Sequence, residues 1–298
     1  MMDADLTVAL IKATVQIDQP INEAKRMVGT GFLVSVPMPG GQTQTVLVTA
    51  AHVLEKMPQK DVRVGWRVPS AKGTWSYMPS TIAIRTPAGA PTYTQHPGQD
   101  IAVIPIKMPE SIKDQVIPYS LLADEGTFEA MKVTAGQEMM TLGYPHGLSA
   151  NVSGFPILRA GRLASYPVAP SATYPTFLID LTAVPGNSGG PVFMKSATSK
   201  AGGFVAGVLI KQVEDENQRL ELGVVTEAVF VRQTIDILLK AQAKGVAPVP
   251  ALKVAPPTAK GTPGGATTDT SDMTGAGNSG TAGAAAKPIT GEGLAETQ

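Results

Sequence analysis

One glycine-rich segment of the chain has the composition of a loop that presents a nucleophile. The segment Pro185–Gly190 reads PGNSGG and interrupts an apolar run, which resumes as PVF. Glycines allow backbone N–H groups to approach a ligand without a clash from Cβ atoms. If the N–H groups of Gly186 and Ser188 converge, they can stabilise a developing oxyanion beside the Ser188 hydroxyl. The alternative is an ordinary glycine-rich surface turn.

A serine hydroxyl acts as a nucleophile only when a base and a group that orients this base lie beside it. The chain contains three histidines, His52, His96 and His146. His52 follows the apolar run VLVTAA, and a histidine at such a strand end can face a cleft. Asp100 precedes the run IAVIPI, where an aspartate is either a turn residue or an acceptor for a histidine. Taken singly, each histidine is better explained as a solvated or structural residue than as a catalytic one.

Three segments, TAAH, DIAVI and GNSGGP, occur in the order His, Asp, Ser and together resemble the chymotrypsin-like serine proteases. The resemblance extends from Thr7 to Lys244. It implies that His52 is the general base, Asp100 the acid that orients it and Ser188 the nucleophile. It also implies an oxyanion hole formed by the N–H groups of Gly186 and Ser188. The expected activity is that of a serine endopeptidase that forms an acyl-enzyme and needs neither a metal nor a cofactor.

A closer resemblance is to the bacterial high-temperature-requirement (HtrA) branch of these proteases. The segments GTGFLVS, DIAVI and LGYPHGLSANVSGFPILRAGRL look like its early hairpin, its aspartate strand and the segment before its serine. The sequence shows no PDZ domain after the protease region. Asn187 occupies the position where zymogen-activated relatives carry an aspartate, so we expect no trypsinogen-like activation. We expect activity to be either constitutive or set by ordering of the loop Tyr144–Ser153.

The same resemblance locates the specificity pocket. Thr182 falls where trypsin-like enzymes carry the aspartate that binds lysine or arginine, so cleavage after basic residues is not expected. Ile210, Lys211 and Gln212 are predicted to form the pocket wall and to pair with the substrate strand. The expected preference before the cleaved bond is a small or medium aliphatic residue.

Short β-branched runs separated by glycine and proline clusters dominate roughly the first 240 residues, a pattern typical of sandwiches or barrels. One helix is predicted from about Glu227 to Ala243, because Val231 and Ile235 recur at helical spacing and Gly245 follows. Together with the resemblance, these patterns predict an all-β fold. It consists of two packed antiparallel six-stranded β-barrels with a C-terminal α-helix.

The composition of the chain changes near residue 245. Residues 1–244 are predicted to form the protease domain, with the N-terminal barrel at about 6–115 and the C-terminal barrel plus helix at about 125–244. Residues 245–298 are rich in Pro, Gly, Ala, Thr and Ser and contain no aromatic residue. Such a segment cannot bury enough apolar surface to fold, so a disordered low-complexity tail is predicted.

The charge balance and the residue types limit which partners and which cellular compartment are expected. The chain has 24 basic and 24 acidic residues and no basic stripe, which disfavours nucleic acid as a partner. It has no cysteine, which excludes disulfides and thiolate metal sites. No apolar run reaches the roughly 18 residues of a membrane span, and the N-terminus does not read as a secretory signal. We therefore expect polypeptide substrates and a cytoplasmic location, or a periplasmic or secreted one if a signal has been removed; the oligomeric state is left open.

Three other functions fit parts of the sequence. The first is a catalytically silent peptide-binding module on the same fold, and the second is a scaffold whose tail is the functional part. The third is an esterase, because residues 186–190 match the nucleophile-elbow pattern G-x-S-x-G. A strand-like PVFM follows that pattern instead of a helix, and His52 precedes Ser188, which is the wrong order for this class.

Overall fold

The structure is a computed structural model and describes residues 5–22, 25–196, 199, 201–215 and 218–245. All of these residues fall in the first of two units, Met1–Gly264. The predicted tail beyond Gly245 lies outside the described residues, so its disorder stays a prediction. No helix among the described residues is long and apolar enough to cross a membrane.

The N-terminal half of the described chain contains eight strands and two short helices. In chain order they are α1 (Leu6–Ala13), β1 (Thr14–Pro20), β2 (Arg26–Pro37), β3 (Thr43–Thr49), α2 (Ala51–Glu55), β4 (Asp61–Pro69), β5 (Trp75–Ala83), β6 (Thr94–Gln95), β7 (Ala102–Pro105) and β8 (Ile117–Pro118). The strands form one sheet in the order β5-β4-β1-β2-β3-β7-β6, and β8 pairs with β2 in parallel.

The ends of this sheet meet through irregular contacts, which differs in detail from the predicted six-stranded antiparallel barrel. An isolated bridge joins Arg85 to Pro91, and the Thr92 N–H donates to the Ile84 carbonyl oxygen at 3.0 Å. Pro91 has no N–H group, so it cannot donate to a regular ladder at this point. The predicted all-β, chymotrypsin-like class is confirmed, whereas the strand count and the irregular closure of this half were not predicted.

The C-terminal half forms the closed antiparallel barrel of six strands that the sequence predicted. Its elements are α3 (Thr127–Ala130), β9 (Glu138–Gly143), β10 (Ile157–Leu163), β11 (Thr176–Asp180), β12 (Pro191–Lys195), β13 (Gly203–Asp215), β14 (Gln218–Glu227) and α4 (Ala228–Ala243). The barrel order is β10-β11-β14-β13-β12-β9, and every pair in it is antiparallel. The predicted C-terminal helix is confirmed as α4.

Buried strands and one helix face hold the two halves in place. Val46, Leu47 and Val48 of β3 are all fully buried, so this strand has apolar neighbours on both faces. Burial of a side chain of this size stabilises the fold by about 1.5–3 kcal/mol relative to its exposure. Helix α4 buries Val231 and Ile235 and packs against β6, β7 and β13. The helix therefore connects the C-terminal barrel to the strands that flank Asp100.

The residue that precedes α4, Glu227, is a buried carboxyl group. Glu227 is only 7% exposed, and its Oε1 atom has no hydrogen-bond partner among the residues that the structure describes. Burial, together with the negative charge of the Glu125 carboxylate, raises the pKa of Glu227 to about 8. The folded protein therefore keeps a proton on Glu227 at pH values where the unfolded chain, with an ordinary value of 4.5, has released it.

This raised pKa predicts a loss of stability as the pH rises. Between about pH 5 and 8 the folded state binds one proton more than the unfolded state, so the free energy of unfolding falls with increasing pH. We expect Glu227→Gln to remove a decrease on the order of 3 kcal/mol over this interval. Urea unfolding at pH 5, 6, 7 and 8 measures this, with Glu129→Gln as an exposed-carboxyl control. Parallel pH profiles for wild type and Glu227→Gln would contradict the assignment.

Candidate active site

His52 lies at the point where a buried strand gives way to a short helix. Strand β3 ends at Thr49, and His52 is the second residue of α2. Its backbone N–H donates to Asp100 Oδ1 at 2.9 Å, and its Nδ1 lies 2.6 Å from Asp100 Oδ2. The side chains of His52 and Asp100 are 25% and 31% exposed, so this pair is accessible from one side.

These contacts determine which nitrogen of the His52 ring holds a proton. Burial acts to raise the pKa of Asp100, but hydrogen bonds from the side chain and the backbone of His52 outweigh it and lower this pKa below its ordinary value. Asp100 is therefore ionised at neutral pH and can only accept hydrogen bonds. The proton of a neutral His52 ring consequently lies on Nδ1, which leaves Nε2 free to accept another.

The other two histidines have different surroundings. His96 Nδ1 accepts from the Gly98 N–H at 3.1 Å, and His96 Nε2 lies 3.0 Å from Gln233 Oε1 of α4. His96 thus attaches the loop that carries Asp100 to the C-terminal helix. His146 has a positive φ of 51°, and its N–H donates to the Pro185 carbonyl oxygen at 2.7 Å. Both therefore have structural contacts, as one reading of the sequence expected.

The loop that carries Ser188 is attached to the N-terminal half through Thr30. The Thr30 N–H donates to the Ser188 carbonyl oxygen at 2.9 Å, and Thr30 Oγ1 donates to the Gly186 carbonyl oxygen at 2.6 Å. Sequence reasoning did not identify Thr30 as a support, although it lies in the GTGF segment of β2. The side of the loop with these two carbonyl groups is therefore occupied by protein contacts.

Two glycines of this loop adopt conformations that exclude other residues. Gly186 has a φ of +97°, and a Cβ atom there would lie 2.2 Å from the Tyr144 carbonyl oxygen. Gly189 has a φ of +90°, and a Cβ atom there would lie 2.0 Å from the Thr30 carbonyl oxygen. Both the left-handed backbone and the close approach require glycine. The glycines that made PGNSGG conspicuous in the sequence are thus needed for the shape of the loop.

The N–H groups of Gly186 and Ser188 are the candidate oxyanion-hole donors. Neither donates a hydrogen bond to an acceptor within the described parts of the chain, and both residues line the cleft that contains His52. A backbone N–H group without a protein acceptor is satisfied by water or by a ligand. Two such groups next to a serine hydroxyl can bind a developing oxyanion.

The Ser188 hydroxyl itself points to a carbonyl group of the C-terminal barrel. Ser188 Oγ donates to the Ile210 carbonyl oxygen at 3.1 Å. Across the described residues, no hydrogen bond joins Ser188 Oγ to His52. Attack on a substrate therefore requires the hydroxyl to leave Ile210 and to donate to His52 Nε2. Catalytic hydrogen bonds are often incomplete without substrate and form in the complex.

The cleft has a volume of about 650 Å³ and contains most of the predicted site. Its lining residues are Arg26, Met27, Val28, His52, Val53, Lys56, Met57, Asp100, Ala183, Val184, Pro185, Gly186, Ser188, Ile210, Lys211 and Gln212. The predicted residues His52, Asp100, Gly186, Ser188, Ile210, Lys211 and Gln212 are therefore brought together. Within the described ranges, no group of three or more His, Asp or Glu residues is placed to hold a metal ion.

Thr182 is the one predicted site residue that does not line the cleft. Its carbonyl oxygen accepts a hydrogen bond from Arg159 Nη1, and its neighbours Ala183 and Val184 form the cleft wall instead. The prediction that Thr182 forms the base of the pocket thus gains no support from the lining. Val53 and Met57, in and next to α2, also line the cleft, and neither was predicted as a site residue from the sequence.

Comparison with known proteins shows the family to which the chain belongs. The model of the trypsin-like peptidase domain matches residues 29–199, which is more than half of the 298 residues. The chain therefore belongs to the trypsin-like peptidase family, whose members are serine-protease hydrolases. No curated protein matches the sequence.

Among solved structures, the chain is similar to the HtrA-type protease AlgW with a tripeptide. The two are 13% identical, with a TM-score of 0.48, over 81% of this chain and 65% of that one. The chain thus spans about 65% of the length of this HtrA-type protein.

Proposed function

We propose that the protein is a serine endopeptidase that cleaves polypeptides through His52, Asp100 and Ser188. The observation that carries the proposal is the distance of 2.6 Å between His52 Nδ1 and Asp100 Oδ2 at the edge of the cleft that contains Ser188. This contact supplies what a serine nucleophile needs, a base whose free nitrogen can accept its proton. We place the activity within residues 1–244.

The reaction follows from these positions. A substrate displaces the Ser188 hydroxyl from Ile210, and Oγ attacks the scissile carbonyl carbon while His52 Nε2 takes the hydroxyl proton. The Gly186 and Ser188 N–H groups hold the oxyanion of the tetrahedral intermediate. His52 then gives the proton to the leaving amine, and an acyl-enzyme forms on Ser188. Asp100 stays ionised and stabilises the imidazolium form of His52 in both steps.

Water then hydrolyses the acyl-enzyme with the help of the same side chains. His52 Nε2 takes a proton from a water molecule, which attacks the acyl carbon, and Ser188 is released with its proton restored. No step requires a metal or a cofactor. The apolar wall formed by Ala183, Val184 and Ile210 supports a preference for small or medium aliphatic residues before the cleaved bond.

One observation favours a second candidate function, a catalytically silent peptide-binding module. The Ser188 hydroxyl donates to Ile210, so the nucleophile is held away from the base in the absence of substrate. A protein that retained this arrangement with a bound peptide would bind without cleaving. The two functions differ in whether Ser188 can react.

Labelling with a fluorophosphonate probe tests the proposal, since the probe reacts only with an activated serine. We expect wild-type protein to gain one adduct, mapped by mass spectrometry to the peptide that contains Ser188. Ser188→Ala should gain none, whereas Ser76→Ala, a change at an exposed serine of β5, should label like wild type. Absence of labelling in folded wild-type protein that binds peptides would favour the silent binding module instead.

A further inference from the structure

The cleft carries basic side chains on both walls, whereas its only carboxylate is already engaged. Arg26, Lys56 and Lys211 line it, and Asp100 is the one acidic residue among the lining residues. Asp100 accepts two hydrogen bonds from His52, so its charge is directed to the ring. Within the described residues, neither Lys56 nor Lys211 forms an ion pair.

Lys56 lies next to the base in the N-terminal half. It follows His52 by one helical turn, and its backbone N–H donates to the His52 carbonyl oxygen at 3.1 Å. Residues four apart on a helical turn share one face, so the Lys56 side chain leaves α2 on the side of the His52 ring. Lys56 is exposed and lines the cleft.

Lys211 lies next to the nucleophile in the C-terminal barrel. It follows Ile210, whose carbonyl oxygen accepts from the Ser188 hydroxyl. The pairing of β13 with β14 shifts register between Leu209 and Lys211, which marks an irregularity in the strand at this point. The Lys211 side chain is exposed beside the cleft. The two lysines thus line the cleft from its two halves, one after His52 and one after Ile210.

Arg26 adds positive charge at the start of β2. Its Nε lies 3.5 Å from Asp18 Oδ2, but the same carboxylate also binds Arg63 through contacts of 2.9 and 2.7 Å. One buried carboxylate shared by two guanidinium groups leaves a net positive charge. The whole chain has a formal net charge of zero, so the excess of basic residues in the lining of this cleft is not a property of the chain as a whole.

We propose that this cleft selects polypeptides with Asp or Glu at the positions that flank the residue before the cleaved bond, with Lys56 and Lys211 as the specificity-determining residues. The inference rests on the proposed endopeptidase function. The residue before the bond enters the apolar pocket, and the flanking acidic side chains pair with the two ammonium groups. Fixed positive charges in a concave site also raise the rate at which acidic segments associate.

Matched fluorogenic peptides test this selection. Three peptides share the residue before the cleaved bond and carry Glu, Gln or Lys at the flanking positions. For wild type at low salt, we expect kcat/KM to be about tenfold higher for the Glu peptide than for the Gln peptide. Lys56→Gln and Lys211→Gln should each reduce this ratio about threefold. Because exposed charges are screened by salt, the ratio should shrink in 0.5 M NaCl.

A charge reversal and a matched control sharpen the test. Lys56→Glu combined with Lys211→Glu should invert the preference, so that the Lys peptide becomes the better substrate. Lys60→Gln removes an exposed lysine that does not line the cleft and should keep the wild-type ratio. Equal Glu and Gln rates in wild-type protein, or a ratio unchanged in the double reversal, would overturn the inference.

Labelling separates this inference from the function on which it rests. If the probe labels Ser188 but the ratio is flat, the selection for acidic peptides fails and the endopeptidase function stands. If folded protein neither labels nor cleaves, the endopeptidase function fails, and fluorescence anisotropy then compares binding of the Glu and Gln peptides directly. Tighter binding of the Glu peptide that both lysine changes remove would support the selection, and equal binding would refute it.

Discussion

Replacing either Ser188 or His52 by alanine is expected to lower kcat for a peptide substrate by about a million-fold, and replacing both is expected to cost no more. The reason is that in the proposed mechanism the two side chains perform one proton transfer, from Ser188 Oγ to His52 Nε2. When one of the two side chains is missing, the other cannot take part in the proton transfer, so removing it as well causes no further loss. The Gly186 and Ser188 N–H groups belong to the backbone and remain, so a residual acceleration over water of about a thousandfold or more should persist.

The measurement is kcat for wild type and the three variants on the same peptide, with folding checked by circular dichroism. Ser188 and His52 are partly exposed, so neither change leaves a large cavity in the core. Ser76→Ala gives the matched control for an exposed serine outside the cleft. A double variant whose loss in kcat is the product of the single losses would show that the residues do not act as one unit.

Much of the fold could be predicted from the sequence, because the strand pattern and the helical spacing were both clear. Short β-branched runs between glycine and proline clusters predicted an all-β fold, and the closed barrel from β9 to β14 agrees. The helical spacing of Val231 and Ile235 predicted α4, whose last turn is followed by Gly245 with a φ of +69°. The glycines near Ser188 indicated the shape of the loop, because only glycine combines a positive φ with such a close approach of backbone atoms.

Features that depend on distant partners escaped prediction. The irregular closure of the N-terminal sheet depends on where Pro91 meets Arg85, which no local pattern specifies. The Ser188–Ile210 hydrogen bond joins a loop residue to a residue of β13, 22 positions apart, and has no sequence signature. The burial of Glu227 likewise depends on its packing, since an isolated glutamate before a helix reads as an exposed cap.

The candidate site likewise has residues that the sequence predicted and residues that it did not. The resemblance predicted His52, Asp100 and Ser188 as one site, and all three line the cleft. His52 follows β3 and Asp100 precedes β7, which pairs with β3, whereas Ser188 precedes β12 of the other barrel. Thr182, which the motif position assigned to the pocket, does not line the cleft, and its carbonyl oxygen accepts a hydrogen bond from Arg159. Lys56 was detectable in principle, as the residue one helical turn after His52, but only the structure gave the helix.

Asp100→Asn is expected to lower kcat by about ten-thousand-fold while leaving the protein folded. Asp100 accepts two hydrogen bonds, one from the His52 backbone N–H and one from Nδ1. An asparagine has one oxygen and one NH₂ group in their place. If its oxygen keeps the backbone bond, its NH₂ group donates to Nδ1, and the ring proton must move to Nε2. His52 then cannot accept the Ser188 proton, although every heavy atom is in position.

The opposite orientation of the asparagine does not rescue the enzyme. It would set its NH₂ group against the His52 backbone N–H, so that two donors face each other and the bond of 2.9 Å is lost. Nitrogen NMR of the His52 ring distinguishes this tautomeric effect from simple misplacement, because it reports which ring nitrogen holds the proton. We expect Nδ1–H in wild type and Nε2–H in the variant. A loss below about a hundredfold, with the proton still on Nδ1, would mean that Asp100 only supports the loop and does not direct the base.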